Sequence, residues 1–268
     1  MVVQTGLDSD VSLAANPFPK IAEIASQEGS IVVIPVGSVE QHGNHLPVAT
    51  DSILASAVAT ASAEDVADEI PLLVAPPVWT GYSPHHLPFG GTMTGEFNTL
   101  TDLLEQISDA VLENGFDALL FVNGHGGNTA LIDAAVSTIG HAHPNAEILG
   151  ITYFDLARSF IDDIRESKTG GMAHGGEFET SLMLHLRPGL VGDDRSAEYW
   201  DEQYDLGGQD LLEGGPLSVY RSFNEYSESG AIGDPSLASA EKGKAIFDGV
   251  RSELTTLFSD IHRANSAD

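Results

Sequence analysis

Residues 30–51 read "SIVVIPVGSVEQHGNHLPVATD", and their order predicts the fold. The run at 31–36 is short, apolar and largely β-branched, and it stops at Gly37. That pattern suits a strand buried on both faces, as in a parallel sheet. A polar stretch follows, and from Asp51 the chain turns Ala-rich and helical, with Thr50 or Asp51 as a possible cap. A second run, "DALLFVNG" at 117–124, repeats the pattern and leads into the helix "NTALIDAAVSTIG". The segment "PLLVAPPVW" is extended, because Pro76 and Pro77 forbid helix there. "GEFNTLTDLLEQISDAVLENG" spaces Leu100, Leu103, Leu104, Ile107 and Val111 as one helix face closed by Asn114-Gly115. "AEILGITYF" predicts a third strand and "DLARSFIDDIRES" a helix after it.

Strand and helix in alternation predict an α/β fold: a single domain over residues 1–268, layered α/β/α, with a mostly parallel central sheet. "GGMAHGGEFETSLMLHLRPG" reads as a Gly-rich entry into a short helix that Pro188 ends. Residues 189–234 show no period and read as a long irregular excursion, and a helix closes the chain over 237–264.

Composition narrows the function. The chain has 268 residues, 40 acidic against 11 basic, a net charge of -29 and no cysteine. Displacing counterions from nucleic acid needs Lys and Arg, so neither nucleic acid nor an anionic membrane is an expected partner. No apolar run approaches the ~18 residues that span a bilayer. The first twenty residues carry no basic-then-apolar leader, which points to the cytoplasm, and the acidic surface points to a salt-rich one. Without cysteine, any metal must be held by His and carboxylates.

In open parallel sheets ligands bind beyond the carboxyl ends of the strands, and the polar clusters lie there. In extended chain Glu40 and His42 point the same way. Taken alone, Glu40 is a surface acid and Asp51 a helix cap, but neither reading explains their company with His42. The mix of imidazole and carboxylate suits a divalent ion. His45, before Leu46-Pro47, is the weakest ligand candidate of this stretch. His125 sits at the apex of "NGHGGN", where glycines allow close backbone approach. That loop also resembles a phosphate cradle, but it has no P-loop Lys. In "HGGEFETS", His174 and Glu177 are one helical turn apart and can face one site. Glu179 lies nearer the apolar face of Phe178, Leu182 and Leu186, where a carboxylate needs a partner. There is no G-x-S-x-G elbow and no H-E-x-x-H pattern.

Three motifs in this order, "VGSVEQHGNHLPVATD", "NGHGGN" and "HGGEFETS", resemble the creatininase (creatinine amidohydrolase) family over about residues 15–190. The resemblance implies an α/β/α domain with two divalent ions per subunit (Zn, Mn or Fe), assembled as a homo-oligomer, often a hexamer. Glu40, His42, Asp51 and His125 match its metal ligands, with Asp51 bridging. His174 matches a His that contacts substrate and moves a proton. In creatininases proper a Glu two residues after the "NGH" histidine holds the second metal, and here that residue is Gly127. Glu177 is the expected replacement, as ligand or general base.

The expected reaction is metal-assisted hydrolysis of a small cyclic or linear amide, of the creatinine-to-creatine type, with His174 and Glu177 catalytic. Tyr82, Ser83, His86 and His174 would border the substrate, with Gly81 and His85 beside them. Relatives that act as formamidopyrimidine deformylases of flavin and deazaflavin biosynthesis, or as a peptidase maturing a redox peptide, give alternatives. A metal-binding protein without hydrolytic activity is another.

Overall fold

The structure is a computed structural model that describes residues 9–201 and 203–266. Part of the N-terminal stretch read for a leader, and the last two residues of the single-domain span, lie outside the described residues. Four parallel strands form the central sheet in the order β2 (Leu72–Val74), β1 (Ile31–Val36), β3 (Ala118–Asn123), β4 (Glu147–Thr152). Ile31 pairs with Leu72 on one side and with Ala118 on the other, and Ala118 pairs with Glu147. Every residue of β1 and β3 is buried, as expected of inner strands with both faces covered.

The alternation of side chains along β1 divides the core in two. Ile31 and Val33 face a layer made of α2 (Thr50–Val66), α5 (Glu177–Leu186) and α6 (Ala240–Asn265), through Leu54, Val58, Phe178, Leu182, Leu254 and Phe258. Val32, Ile34 and Val36 face α1 (Phe18–Ala25), α3 (Phe97–Leu112) and α4 (Thr129–Ala142), through Ala25, Leu100, Leu104, Leu131 and Ile139. The result is the α/β/α layering that the alternating runs predict.

Four details differ from the sequence reading. The segment after β4 is not one α-helix but two 3-10 stretches, Tyr153–Ser159 and Ile161–Asp163. Between them Phe160 leaves helical space (φ -137°), and its ring lies where a side chain on Gly249 of α6 would be. The extended segment at 71–79 yields only a three-residue strand. Pro76 and Pro77 have no N–H to give, although Val78 N–H still bonds to Pro35 O beside β1. The Gly-rich entry to α5 contains a strand, β5 (Met172–His174), paired antiparallel with β6 (Ile232–Gly233) from the end of the excursion. Finally, neither Thr50 nor Asp51 caps α2: the cap position is Ala49, and Asp51 lies inside the first turn.

α6 packs on α5 with almost no clearance. A Cβ on Gly243 would stand 1.9 Å from Ser181 O and 2.5 Å from its carbonyl carbon. Both are backbone atoms, so relief requires the helices to part. Gly243→Ala should therefore destabilise the protein by about 1–3 kcal/mol through overpacking, measured by chemical denaturation. An unchanged midpoint would mean that the two helices do not meet at Gly243.

Candidate metal centre

The loops at the carboxyl ends of β1 and β3, the start of α2, the end of β5 and the start of α5 converge. They bring Glu40, His42, Asp51, His125, His174 and Glu179 together, all buried. Gly124 permits the approach of β3 to α2, because a Cβ there would lie 2.7 Å from Asp51 O. His125 Nδ1 then reaches Glu40 Oε1 at 3.1 Å and Asp51 Oδ2 at 3.5 Å. On the other side of Asp51, His42 Nε2 is 2.9 Å from Asp51 Oδ1 and 3.7 Å from Glu179 Oε1. Two groups that could hold an ion thus share one carboxylate: Glu40, Asp51 and His125 form the first, and His42, Asp51 and Glu179 the second. A third combination, Glu40, His42 and His174, overlaps both.

Each imidazole is oriented by a carbonyl behind it. His42 Nδ1 lies 3.1 Å from Glu40 O, His125 Nε2 3.2 Å from Tyr82 O, and His174 Nε2 2.7 Å from Gln41 O. A carbonyl only accepts, so those nitrogens carry the protons. The opposite nitrogens (Nε2 of His42, Nδ1 of His125 and of His174) are left with lone pairs turned toward the carboxylates. This is how ligand histidines are held at metal sites. His42 Nε2 and Asp51 Oδ2 have no hydrogen-bond partner although both are buried, a costly arrangement unless a cation lies between them. The donor set of carboxylates and imidazoles therefore fits a divalent ion.

The electrostatics agree. Burial and the neighbouring Glu40 carboxylate push Asp51 up to about 7, against His42 and His125. Burial alone would raise Glu40 too, but attraction to His125, His86 and His174 outweighs it and holds the carboxyl well below the usual range. Burial disfavours charge on His125, yet Glu40 and Asp51 lift it to about 9, and Asp51 and Glu179 likewise lift His42 against burial. Burial and His42 lower His174 to about 4. The cluster calls for positive charge, which protons or a metal ion can supply.

Glu177 does not join it. Its carboxylate accepts from Lys242 Nζ at 2.5 Å and from the Ser167 and Glu166 N–H groups at 2.9 and 3.1 Å. The expected place of Glu177 in this cluster is therefore corrected: the carboxylate that faces His42 is that of Glu179. Glu179 Oε2 also accepts from Gly175 N–H at 2.6 Å. Gly127 has no room for a carboxylate side chain, since a Cβ would meet His125 Nε2 at 2.3 Å and Tyr82 O at 2.7 Å.

Other expected residues take different posts. Tyr82 lays its ring edge-on against Phe97 at 5.4 Å. Ser83 is fully buried and donates to Glu40 Oε2 at 2.5 Å, with Ser38 behind it at 2.6 Å. It fixes a carboxylate and has no surface free for substrate. His86 does lie at the centre, with Nε2 3.4 Å from Glu40 Oε1, and burial keeps it neutral. His45 faces away from the cluster, toward Gly175 O at 3.0 Å and Thr180 Oγ1 at 2.9 Å. Gln41 is a residue that no spacing rule picks out. Its Nε2 donates to His86 Nδ1 at 2.7 Å and to Gly230 O at 3.0 Å.

The Glu177–Lys242 pair is a structural bond with a pH signature. Burial raises the Glu177 carboxyl, but Lys242 and the 166–167 amides lower it further than burial raises it. Its stabilisation is then present above the ordinary glutamate range and lost as pH falls through the lowered folded value. Glu177→Gln should flatten that part of the acid unfolding curve. Glu177→Ala should cost about 3 kcal/mol, the low end for breaking a buried pair, because Lys242 keeps Glu166. An acid unfolding curve for Glu177→Gln identical to wild type would refute the pairing.

Comparison with known proteins bears on the family and the fold. The family model described as creatinine amidohydrolase matches residues 17–258. A mycofactocin precursor peptide peptidase of Mycobacterium tuberculosis is 33% identical over 248 residues, 85% of this chain and 87% of that protein. The creatinine amidohydrolase of Pseudomonas putida is 31% identical over 185 residues, 63% of this chain and 69% of that one. A crystal structure of creatinine amidohydrolase superposes with a TM-score of 0.82 at 24% identity, covering 94% of this chain and 98% of the other. Its similarity speaks to the fold. On these grounds the chain belongs to the creatininase family.

Proposed function

We propose that the protein is a metal-dependent amidohydrolase acting on a small cyclic or linear amide, with two ions arranged about Asp51. The carrying observation is the shared carboxylate: two buried ligand groups meet at Asp51, whose Oδ2 is unpartnered, as is His42 Nε2. Family membership supports the class, a hydrolase of amide C–N bonds. Glu40, Asp51 and His125 would hold one ion, and His42, Asp51 and Glu179 the other. Creatininases of known structure described as "Zn-Zn type" and "Creatininase Mn" support zinc or manganese. When bound, such ions polarise a carbonyl and lower the pKa of water from 15.7 toward about 7.

The chain's own groups supply the rest. His174 keeps its Nε2 proton on Gln41 O, so Nδ1 is the atom that takes a proton from the attacking water and passes it to the leaving nitrogen. Ser38 and Ser83 fix Glu40, while Gln41 fixes His86 and through it the rim of the site. Glu177 has no part in the chemistry.

A second reading is cleavage of a peptide amide. The similarity to the mycofactocin precursor peptide peptidase spans 85% of this chain, against 63% for the creatinine amidohydrolase. The two readings share one centre and differ in the size of the substrate.

Metal analysis of purified protein tests the centre. Wild type should take up two ions, Glu179→Gln about one, Asp51→Asn little, and Glu177→Gln should keep both. Equal metal in Asp51→Asn and wild type would refute the site. Loaded protein should turn over at least one of creatinine, a formamidopyrimidine or a short peptide, and His174→Gln should lose about 10²–10⁴-fold in kcat while keeping its metal. Full metal with no turnover of any of these amides would favour a binding protein.

A further inference from the structure

The irregular excursion sends one ring to the metal centre. Phe223 has its centroid 4.0 Å from that of His86, 5.0 Å from His174 and 5.2 Å from His85. His86 and His174 in turn face Glu40, at 3.4 and 3.8 Å. Phe223 is only half-buried and belongs to neither hydrophobic core. Its neighbours are imidazoles and, on the outer side, Tyr226 at 5.7 Å, which stands edge-on to Trp200 at 4.8 Å. A phenyl ring that contributes to no core and leans on the rim of a reaction centre has an apolar surface left to offer.

The ring is also held in place. Ser222 and Glu225 exchange side-chain and backbone hydrogen bonds around it. The Glu198 carboxylate gathers the following turn, accepting from Ser227 Oγ at 2.8 Å, from Ser229 Oγ at 2.6 Å and from the N–H groups of Ser229 and Glu228. Gly230 O takes the Gln41 amide that also bonds His86. Glu198 and Gly233 close the strap with two backbone hydrogen bonds, of 2.8 and 2.6 Å. The strap at 222–233 is thus tied at its base by one carboxylate and at its tip to the centre itself.

We infer that Phe223 is the specificity-determining wall of the substrate pocket, stacking against a flat or apolar group next to the scissile amide, with Glu198 its positioning residue. The inference rests on the proposed amidohydrolase centre and adds the substrate class: amides that carry a planar substituent, in preference to bare aliphatic ones.

Hydroxamates, which chelate metals and mimic an amide, test it by calorimetry on the metal-loaded protein. Wild type should bind benzohydroxamate roughly tenfold more tightly than acetohydroxamate, the scale of one good aromatic contact. Phe223→Ala should bring that ratio close to one while acetohydroxamate affinity and metal content hold. Phe223→Leu keeps apolar bulk for folding and should also lose most of the ratio, and Glu198→Gln should lower it in part. A ratio in Phe223→Leu and Phe223→Ala equal to wild type overturns the inference and leaves the centre intact. So does a parallel loss of both ligands, which would mark Phe223 as structural. Wild type that binds neither metal nor either hydroxamate overturns the centre and the wall together.

Discussion

Glu40, Asp51 and Glu179 are buried around one point, and among the described residues no Lys or Arg forms an ion pair with any of them. Carboxylates removed from water without a Lys or Arg beside them need another source of positive charge to stay ionised, and here only protonated His42 and His125, or a metal ion, can supply it. Asp51, raised to about 7, carries the strain of that arrangement. The remainder of the site is organised around this deficit. The sheet ends present the acids, backbone carbonyls turn imidazole lone pairs inward, and the approach of β3 to α2 at Gly124 closes the cluster. The fold holds donors in a geometry that water could not solvate and a cation can.

The sheet was legible because inner strands of a parallel sheet must be apolar at every position, and the runs at 31–36 and 118–122 are. Glu40, His42, Asp51 and His125 were legible for a related reason: they follow those strands directly, so topology alone brings them to one edge. Glu177 was misjudged because the spacing argument treats 174–177 as one helical turn. β5 ends at His174, Gly175 turns with φ +60°, and the helix starts only at Glu177. The side chain at the first helical position then faces the 166–167 amides and a lysine 65 residues away in α6, while the one two positions later faces His42. Ser38, Ser83 and Gln41 were beyond reach because hydroxyls and amides become informative only once their partners are placed.

Glu177 and Glu179 show how narrowly the two kinds of carboxylate are separated. One is neutralised by a lysine and by backbone amides, so it is satisfied and inert. The other meets an imidazole lone pair and one amide, so it still has capacity to bind. Two residues apart in sequence and both buried, they differ in what the fold places opposite them. Residue type and burial alone do not identify a functional acid, whereas the charge balance of its surroundings does.

The strap at 222–233 comes from a different part of the chain than the centre it borders, and it joins that centre chiefly through Gln41 and the rings around Phe223. The candidate ligands sit on sheet ends and helix starts that the two cores immobilise; Phe223 sits on a segment that adds little to either core. Selection can therefore act on the two separately. Lineages descending from one ancestral centre can exchange or reshape this excursion without rebuilding the apparatus for breaking the bond. That is a physical route by which one scaffold comes to serve relatives as unlike as a creatinine amidohydrolase and a precursor peptide peptidase.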